Sequence, residues 1–466
     1  MSRATTESKS VVREAGMLER WHVARQNLGV LGAVVISGRY TRADGSILDK
    51  ALLYAALEKV IHKHGALNVC VAGEATPTPA FVRLDRIDLD EVVTFVDGDL
   101  REVLEAEVAK GFDMTRPLWR ILVVPDGTVN FSFHHVIGDG QSGIAFHRTL
   151  LAALNEMGET SPPHSAVVST SAKVTLVPPI EQVANLHVSP FRLIREIIKM
   201  LVPASWTAAY WAWTGYPCPS ERKLTANLRL LYHKPEAAHR ILQVCRAHQT
   251  SLTALMHTLA TLIISEYLAE DPSNTGRYTS ISTSIPVSLR AFAKAPPGVM
   301  CNYVSTHFSF PTLIKRTPST DRSWLREFPW DSTSELSKTL RKQQTHSAES
   351  LGMVKFIGDF EAYHMNKLGK KRDYTFEISN VGRFPGGAET PGGDTGSSAW
   401  TLDGVYFSQS NPSSGGAIHV NVAGDPAGGI GISVSWAEGA IDDTFGEAFF
   451  EAFKEGLEEV VHHDIA

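Results

Sequence analysis

The residue types and spacing that invite chemistry are concentrated in one stretch, Phe131-Ser132-Phe133-His134-His135-Val136-Ile137-Gly138-Asp139-Gly140. Read as a strand of period two, it puts Val129, Phe131, Phe133 and His135 on one face and Asn130, Ser132 and His134 on the other. An imidazole that continues an apolar stripe loses hydration and stays neutral at pH 7. It can then accept a proton, as a general base must. Neighbours on a strand point to opposite faces, so His134 and His135 cannot chelate one metal, and no metal is expected. With 18 His and 36 Gly in the chain, HHxxxDG arises by chance roughly 0.003 times. Accident is therefore set aside.

Rival chemistries fail on their own residues. Gly140-Gln141-Ser142-Gly143-Ile144 nearly matches a nucleophile elbow, but Ile144 stands where glycine is required. Ser142 is expected in the first turn of a helix. Cys70, Cys218, Cys245 and Cys301 are scattered, which argues against a zinc knuckle, a disulfide scaffold or a covalent cysteine mechanism. The Gly424 to Gly429 stretch has no following Lys-Ser/Thr and reads as a hairpin turn. Ser379 and Asn380 either donate to an oxyanion or cap the turn before Gly382. Lys367, Lys370, Lys371 and Arg372 either bind a phosphate or form a solvated charge run.

Elements must position these groups. The periodicity predicts helices over residues 16–27, 47–64, 99–110 and 141–157, with strands over 30–40 and 67–71. Strands 118–124 and 128–135 flank the turn residues Pro125-Asp126-Gly127 and form a hairpin. Pro178-Pro179 interrupts a long crossover at 175–225. Helices are expected next at 235–249 and 252–268 and between Ser323 and Asn366. Strands are expected at 278–286, 302–308, 374–379, 399–408, 417–422 and 431–436, and a closing helix at 443–460. Three regions follow: 1–174 with the histidine motif, the crossover 175–225, and 226–466. Residues 190–216 combine an amphipathic helix around Ile194, Ile197, Ile198 and Leu201 with a Trp/Tyr-rich tail. That helix is expected to dock on its own protein, with an interfacial membrane helix as the disfavoured alternative.

Composition bounds the partners. The 44 basic and 50 acidic residues give a net charge of −6, which argues against a nucleic-acid partner. No apolar h-region occurs in the first 25 residues and no apolar run in the chain is long enough to span a bilayer, so a cytoplasmic protein with reduced thiols is expected.

HHxxxDG resembles the active-site motif of the superfamily that includes chloramphenicol acetyltransferase, plant BAHD acyltransferases, peptide-synthetase condensation domains and wax-ester synthases. Several other stretches resemble the fungal alcohol acetyltransferase branch. They are Leu18-Glu19-Arg20 with Arg25 and Leu28-Gly29, Phe112-Asp113, Pro117-Leu118-Trp119-Arg120, Ile285 to Arg290, the Gly298 to Asn302 turn, Ile378 to Gly382, and Gly429 to Trp436. The DFGWG motif of plant enzymes is absent. The resemblance implies an α/β fold of two chloramphenicol-acetyltransferase-like domains, each a mixed β-sheet with helices, and an active-site tunnel between them. It also implies direct acyl transfer from acyl-CoA, acetyl-CoA above all, to a hydroxyl of a small apolar metabolite. His135 is the expected base and Asp139 a structural residue paired with Arg290; Gly140 permits close backbone approach or is an ordinary turn glycine, and His134 supports the site. No tightly bound cofactor and a monomer are expected. A carrier-protein thioester donor, an amine acceptor and a non-catalytic binding protein stay open as alternatives.

Overall fold

The computed structural model describes residues 10–157, 165–222, 224–274, 276–314, 328–384 and 399–465. The expected helix start at Ser323 falls partly on 315–327, outside the described residues. Two mixed sheets dominate. The first has five strands in the order Trp400–Gln409, Val34–Arg42, Thr128–Phe133, Trp119–Val123, Val93–Phe95. Its pairs are antiparallel except for the last. The second has six, in the order Asn227–His233, Ile430–Trp436, Ile418–Gly424, Phe376–Arg383, Thr283–Ser288, Val304–Ser309.

Local chemistry explains the elements that carry the site. Gly127, with a φ of 83°, closes the hairpin between Trp119–Val123 and Thr128–Phe133, and Asp126 Oδ1 accepts from the Thr128 amide. Helix Lys50–Lys63 starts where Asp49 accepts from the Leu52 amide, and Leu252–Glu270 starts at Ser251 in the same way. The first sheet shares a core with Lys50–Lys63 and Gly140–Met157, in which Phe131, Phe133 and Phe146 are fully buried. The second shares a core with Pro235–Ala247, Leu252–Glu270 and Asp443–Ile465. Leu252–Glu270 is long and apolar enough by composition to cross a membrane, but most of its residues are buried in that core.

Two findings depart from the sequence reading. Strand Trp400–Gln409 leaves its own half and pairs with Val34–Arg42 at the edge of the first sheet, so the regions 1–174 and 226–466 are not the two sheets. Helix Pro190–Leu201 does not dock by its apolar face. It touches the protein through Arg192, which reaches Ser350 Oγ at 2.8 Å and Glu349, while its apolar residues face outward. Periodicity tells which face of a helix is apolar and not what that face meets.

Candidate active site

The motif strand ends at Phe133, two residues short of the expected limit. His134 causes the ending: its Nδ1 accepts from the Val136 amide at 3.0 Å and its carbonyl from the Ile137 amide at 3.1 Å, which curls the chain into a turn. His135 therefore sits at the crest of that turn rather than on the apolar stripe of the strand. His134 is fully buried, edge-on to Phe112, and desolvation lowers its pKa to about 3. It holds the turn as a neutral ring.

His135 is half-buried at the seam between the lobes. Asn302, from the second half of the chain, brings its Nδ2 to 2.8 Å from the His135 carbonyl oxygen and 3.2 Å from Nδ1. The Asn302 Oδ1 is buried without a partner among the described residues. The His135 ring also bonds its own carbonyl through Nδ1–H, the neutral tautomer that leaves the lone pair on Nε2. Desolvation pulls the His135 pKa below 6.5, aided by the charge of Arg25; a hydrogen bond to its own carbonyl, Asp139 and Glu377 oppose the shift. The net direction is downward, and the ring is neutral at pH 7.

His22 was not singled out by the sequence reading. Its ring stacks on His135 with centroids 4.1 Å apart and planes 8° from parallel. It is buried, both its nitrogens are without partners among the described residues, and burial followed by proximity to His135 drives its pKa well below 6.5. The available signal was spacing: Leu18, His22 and Arg25 stand at i, i+4 and i+7 on helix Met17–Asn27.

Asp139 does three jobs at the start of helix Gly140–Met157. Its Oδ1 accepts from the Ser142 amide at 3.1 Å, as an N-cap does. Arg290 grips it with two bonds, Nη2 to Oδ1 at 2.7 Å and Nε to Oδ2 at 3.0 Å, and Oδ2 also accepts from the Tyr303 amide. Arg290 spends its remaining donors on the Val299 and Cys301 carbonyls and Ser142 Oγ. Ser142 is fully buried in this knot, where its hydroxyl donates to the Cys301 carbonyl at 2.9 Å. A methyl on Gly140 would lie 2.3 Å from Val381 Cγ1, so this glycine permits close approach of the second lobe. Burial pushes the Cys245 and Cys301 thiols up to about 12, which leaves them poor nucleophiles.

The other residues singled out in the sequence separate. Ser379 is buried on strand Phe376–Arg383, on the face it shares by alternation with Glu377 and Val381. Asn380 points the other way: its Oδ1 accepts from the Gly382 amide and its Nδ2 donates to Thr253 Oγ1. Arg372 is buried and donates to the Tyr216 and Ser413 carbonyls. Lys367 pairs with Asp373 at 2.5 Å, and Lys371 donates to the carbonyls of Ala209 and Tyr210. Of these four basic residues, Lys370 is exposed and its side chain makes no hydrogen bond or ion pair with a described residue.

Comparison with known proteins decides the family. The model of the alcohol acetyltransferase family matches residues 14–457. The chain belongs to that family. A probable alcohol acetyltransferase of Aspergillus fumigatus, crmB, is 28% identical, the match covering 92% of this chain and 96% of that one. A second probable alcohol acetyltransferase, from Fusarium pseudograminearum, is 24% identical over 83% of this chain and 81% of its own. Among solved structures, a trichothecene 15-O-acetyltransferase from Fusarium sporotrichioides superposes with a TM-score of 0.68 at 12% identity, over 96% of this chain and 94% of that one. The condensation domain of the Monacolin K polyketide synthase gives 0.59 at 12% identity, over 97% and 98%. The fold is that of two chloramphenicol-acetyltransferase-like lobes, and this alcohol acetyltransferase family member is an acyltransferase.

Proposed function

We propose that this acyltransferase moves an acyl group, acetyl above all, from acyl-CoA to a hydroxyl of a small apolar metabolite, with His135 as general base. The observation that carries the reading is a neutral, partly accessible imidazole at the seam of the lobes, stacked on His22 and held along its Nδ1 edge by Asn302. In the reaction, the Nε2 lone pair takes the hydroxyl proton as the alcohol oxygen attacks the thioester carbonyl. The tetrahedral intermediate expels the thiolate, which takes that proton back from the imidazolium and leaves as free CoA thiol. Ester and thiol are the products, and no acyl-enzyme is needed.

General base action contributes about 10² to 10⁴-fold, and one oxyanion donor about 3 kcal/mol. Ser379, on the strand face that includes Val381, is the donor candidate supported by its position; Asn380 is committed to its turn and to Thr253. Lys370 is the remaining candidate for a coenzyme A phosphate, because Lys367, Lys371 and Arg372 are engaged within the protein.

The test is incubation of the purified chain with a panel of acyl-CoA thioesters and a pool of apolar alcohols, with products read by mass. An ester that disappears with His135→Ala supports the reading. Turnover only with a carrier-protein thioester would replace acyl-CoA as donor, and an undiminished His135→Ala would remove the base.

A further inference from the structure

The crossover between the two halves presents an inverted amphipathic helix. Seven of the twelve residues of Pro190–Leu201 are large apolar ones, and at 100° per residue they occupy one half of the helix, centred on Ile194 and Leu201. The opposite half holds Arg192, Arg195, Glu196 and Lys199. A helix resting on a globular body turns its apolar half inward. Here the polar half makes the attachment, through Arg192 and the Ser189 amide to Glu349 and Ser350. Phe191 is 78% exposed, Met200 84%, Leu201 79% and, beyond the helix, Trp206 76%.

Exposed aromatics with a polar edge follow at Tyr210 and Trp211. Lys371 ties that turn down by donating to the Ala209 and Tyr210 carbonyls, and burial, followed by the nearby charge of Arg277, lowers its pKa. Exposed Arg195 and Lys199 share the single carboxylate of Glu196, so the polar half of the helix is net positive. An apolar helical face, amphipathic rings at its end and a surplus of cations on the polar half match a bilayer interface with anionic headgroups.

We propose that residues 190–211 form a docking surface for an anionic lipid bilayer, with Phe191, Ile194, Ile198 and Leu201 entering the acyl boundary and the charge of Arg195 and Lys199, on the polar half, drawing the helix to the anionic surface. The attachment through Arg192 keeps the acyltransferase lobes on the water side of that helix.

The test is flotation of the full chain with vesicles of phosphatidylcholine alone and of phosphatidylcholine with about 30% phosphatidylserine, at low and high salt. Wild type floats with the anionic vesicles, and salt weakens the binding. Ile194→Asp with Ile198→Asp lowers the bound fraction at least tenfold. Arg195→Glu with Lys199→Glu lowers it on anionic vesicles and leaves the residual binding to neutral ones unchanged. Ile47→Asp, at an exposed residue elsewhere, has no effect, and matching melting curves show that each variant is folded. A wild-type chain that stays in the aqueous fraction with both vesicles overturns the proposal, as does binding insensitive to the Ile pair. A wild-type dimer in sedimentation velocity that the Ile pair dissociates, without vesicle binding, assigns the face to a second copy instead.

Discussion

Removing the carboxylate of Asp139 should destabilise the protein more than it alters the chemistry. The Asp139 and Arg290 side chains are 7% and 12% exposed, and the guanidinium has no second acid to turn to in its contacts: its other acceptors are two carbonyls and the Ser142 hydroxyl. Breaking a buried pair by removing one partner costs about 3–5 kcal/mol. For 466 residues the unfolding entropy near 60 °C is about 1 kcal/mol per degree, so a cooperative melt of the whole chain shifts down by about 3–5 °C. Asp139→Ala and Arg290→Met should each show this shift in calorimetry. The double variant should fall short of the summed shifts by about 0.5–3 kcal/mol, because neither charge is then left alone. A Tm within 1 °C of wild type in Asp139→Ala together with abolished turnover would refute the structural role and make Asp139 part of the chemistry.

Other consequences are open to direct measurement. His135→Ala should lower kcat by about 10² to 10⁴-fold. In the wild type kcat/KM should be flat from neutral pH upward and decline as pH falls through the lowered His135 pKa, below 6.5, since protonation removes the base. His22→Ala should lower kcat by opening the stack under His135, whereas His22→Phe should restore it, because the ring and not its titration is used. His147 bonds the Ile36 carbonyl and the Tyr40 hydroxyl, and desolvation lowers its pKa to about 4. The unfolded ring protonates near 6.5 and the folded one does not, so stability is whole above pH 6.5 and is lost as pH falls towards 4. Urea unfolding at stepped pH should show that slope, and His147→Gln should make it shallower without abolishing it, because buried His64, His134 and His257 are shifted in the same direction. Ser142→Ala should cost about 1–3 kcal/mol in the same unfolding assay while retaining turnover, because its hydroxyl joins Asp139, Arg290 and Cys301 and performs no attack.

Local signals in the sequence were legible where one residue's chemistry decides a boundary. Pro125-Asp126-Gly127 marks a hairpin and the apolar period of 252–268 marks a helix, whereas the helix expected from residue 47 begins only after its cap, Asp49. The residues of HHxxxDG were legible as a unit. Their geometry was not, because the strand ends on a side chain, His134 Nδ1, competing for the backbone amide of Val136. Non-local choices left no such trace. Trp400–Gln409 alternates like any half-buried strand and carries no mark that its partner is Val34–Arg42, hundreds of residues away. Asn302 was visible as part of a turn, and only the fold brings it to His135.

The way the two lobes are joined bears on how substrates reach His135. His135, the proposed base, comes from the first half of the chain, while the groups that hold its surroundings, Asn302, Arg290 and Val381, come from the second. Contacts of that kind alone would allow a hinge, since hydrogen bonds across a seam can break and reform. The strand Trp400–Gln409 changes the balance. It is paired with Val34–Arg42 at eight positions, and Trp400, Leu402, Val405 and Phe407 are buried in the first lobe's core. Swinging the lobes apart would expose those four apolar side chains, at about 1.5–3 kcal/mol for each one fully exposed, besides the ladder. Entry along the seam costs none of this. The strand shared between the halves therefore favours a catalytic cycle without separation of the lobes, in which the Asp139–Arg290 pair stays intact.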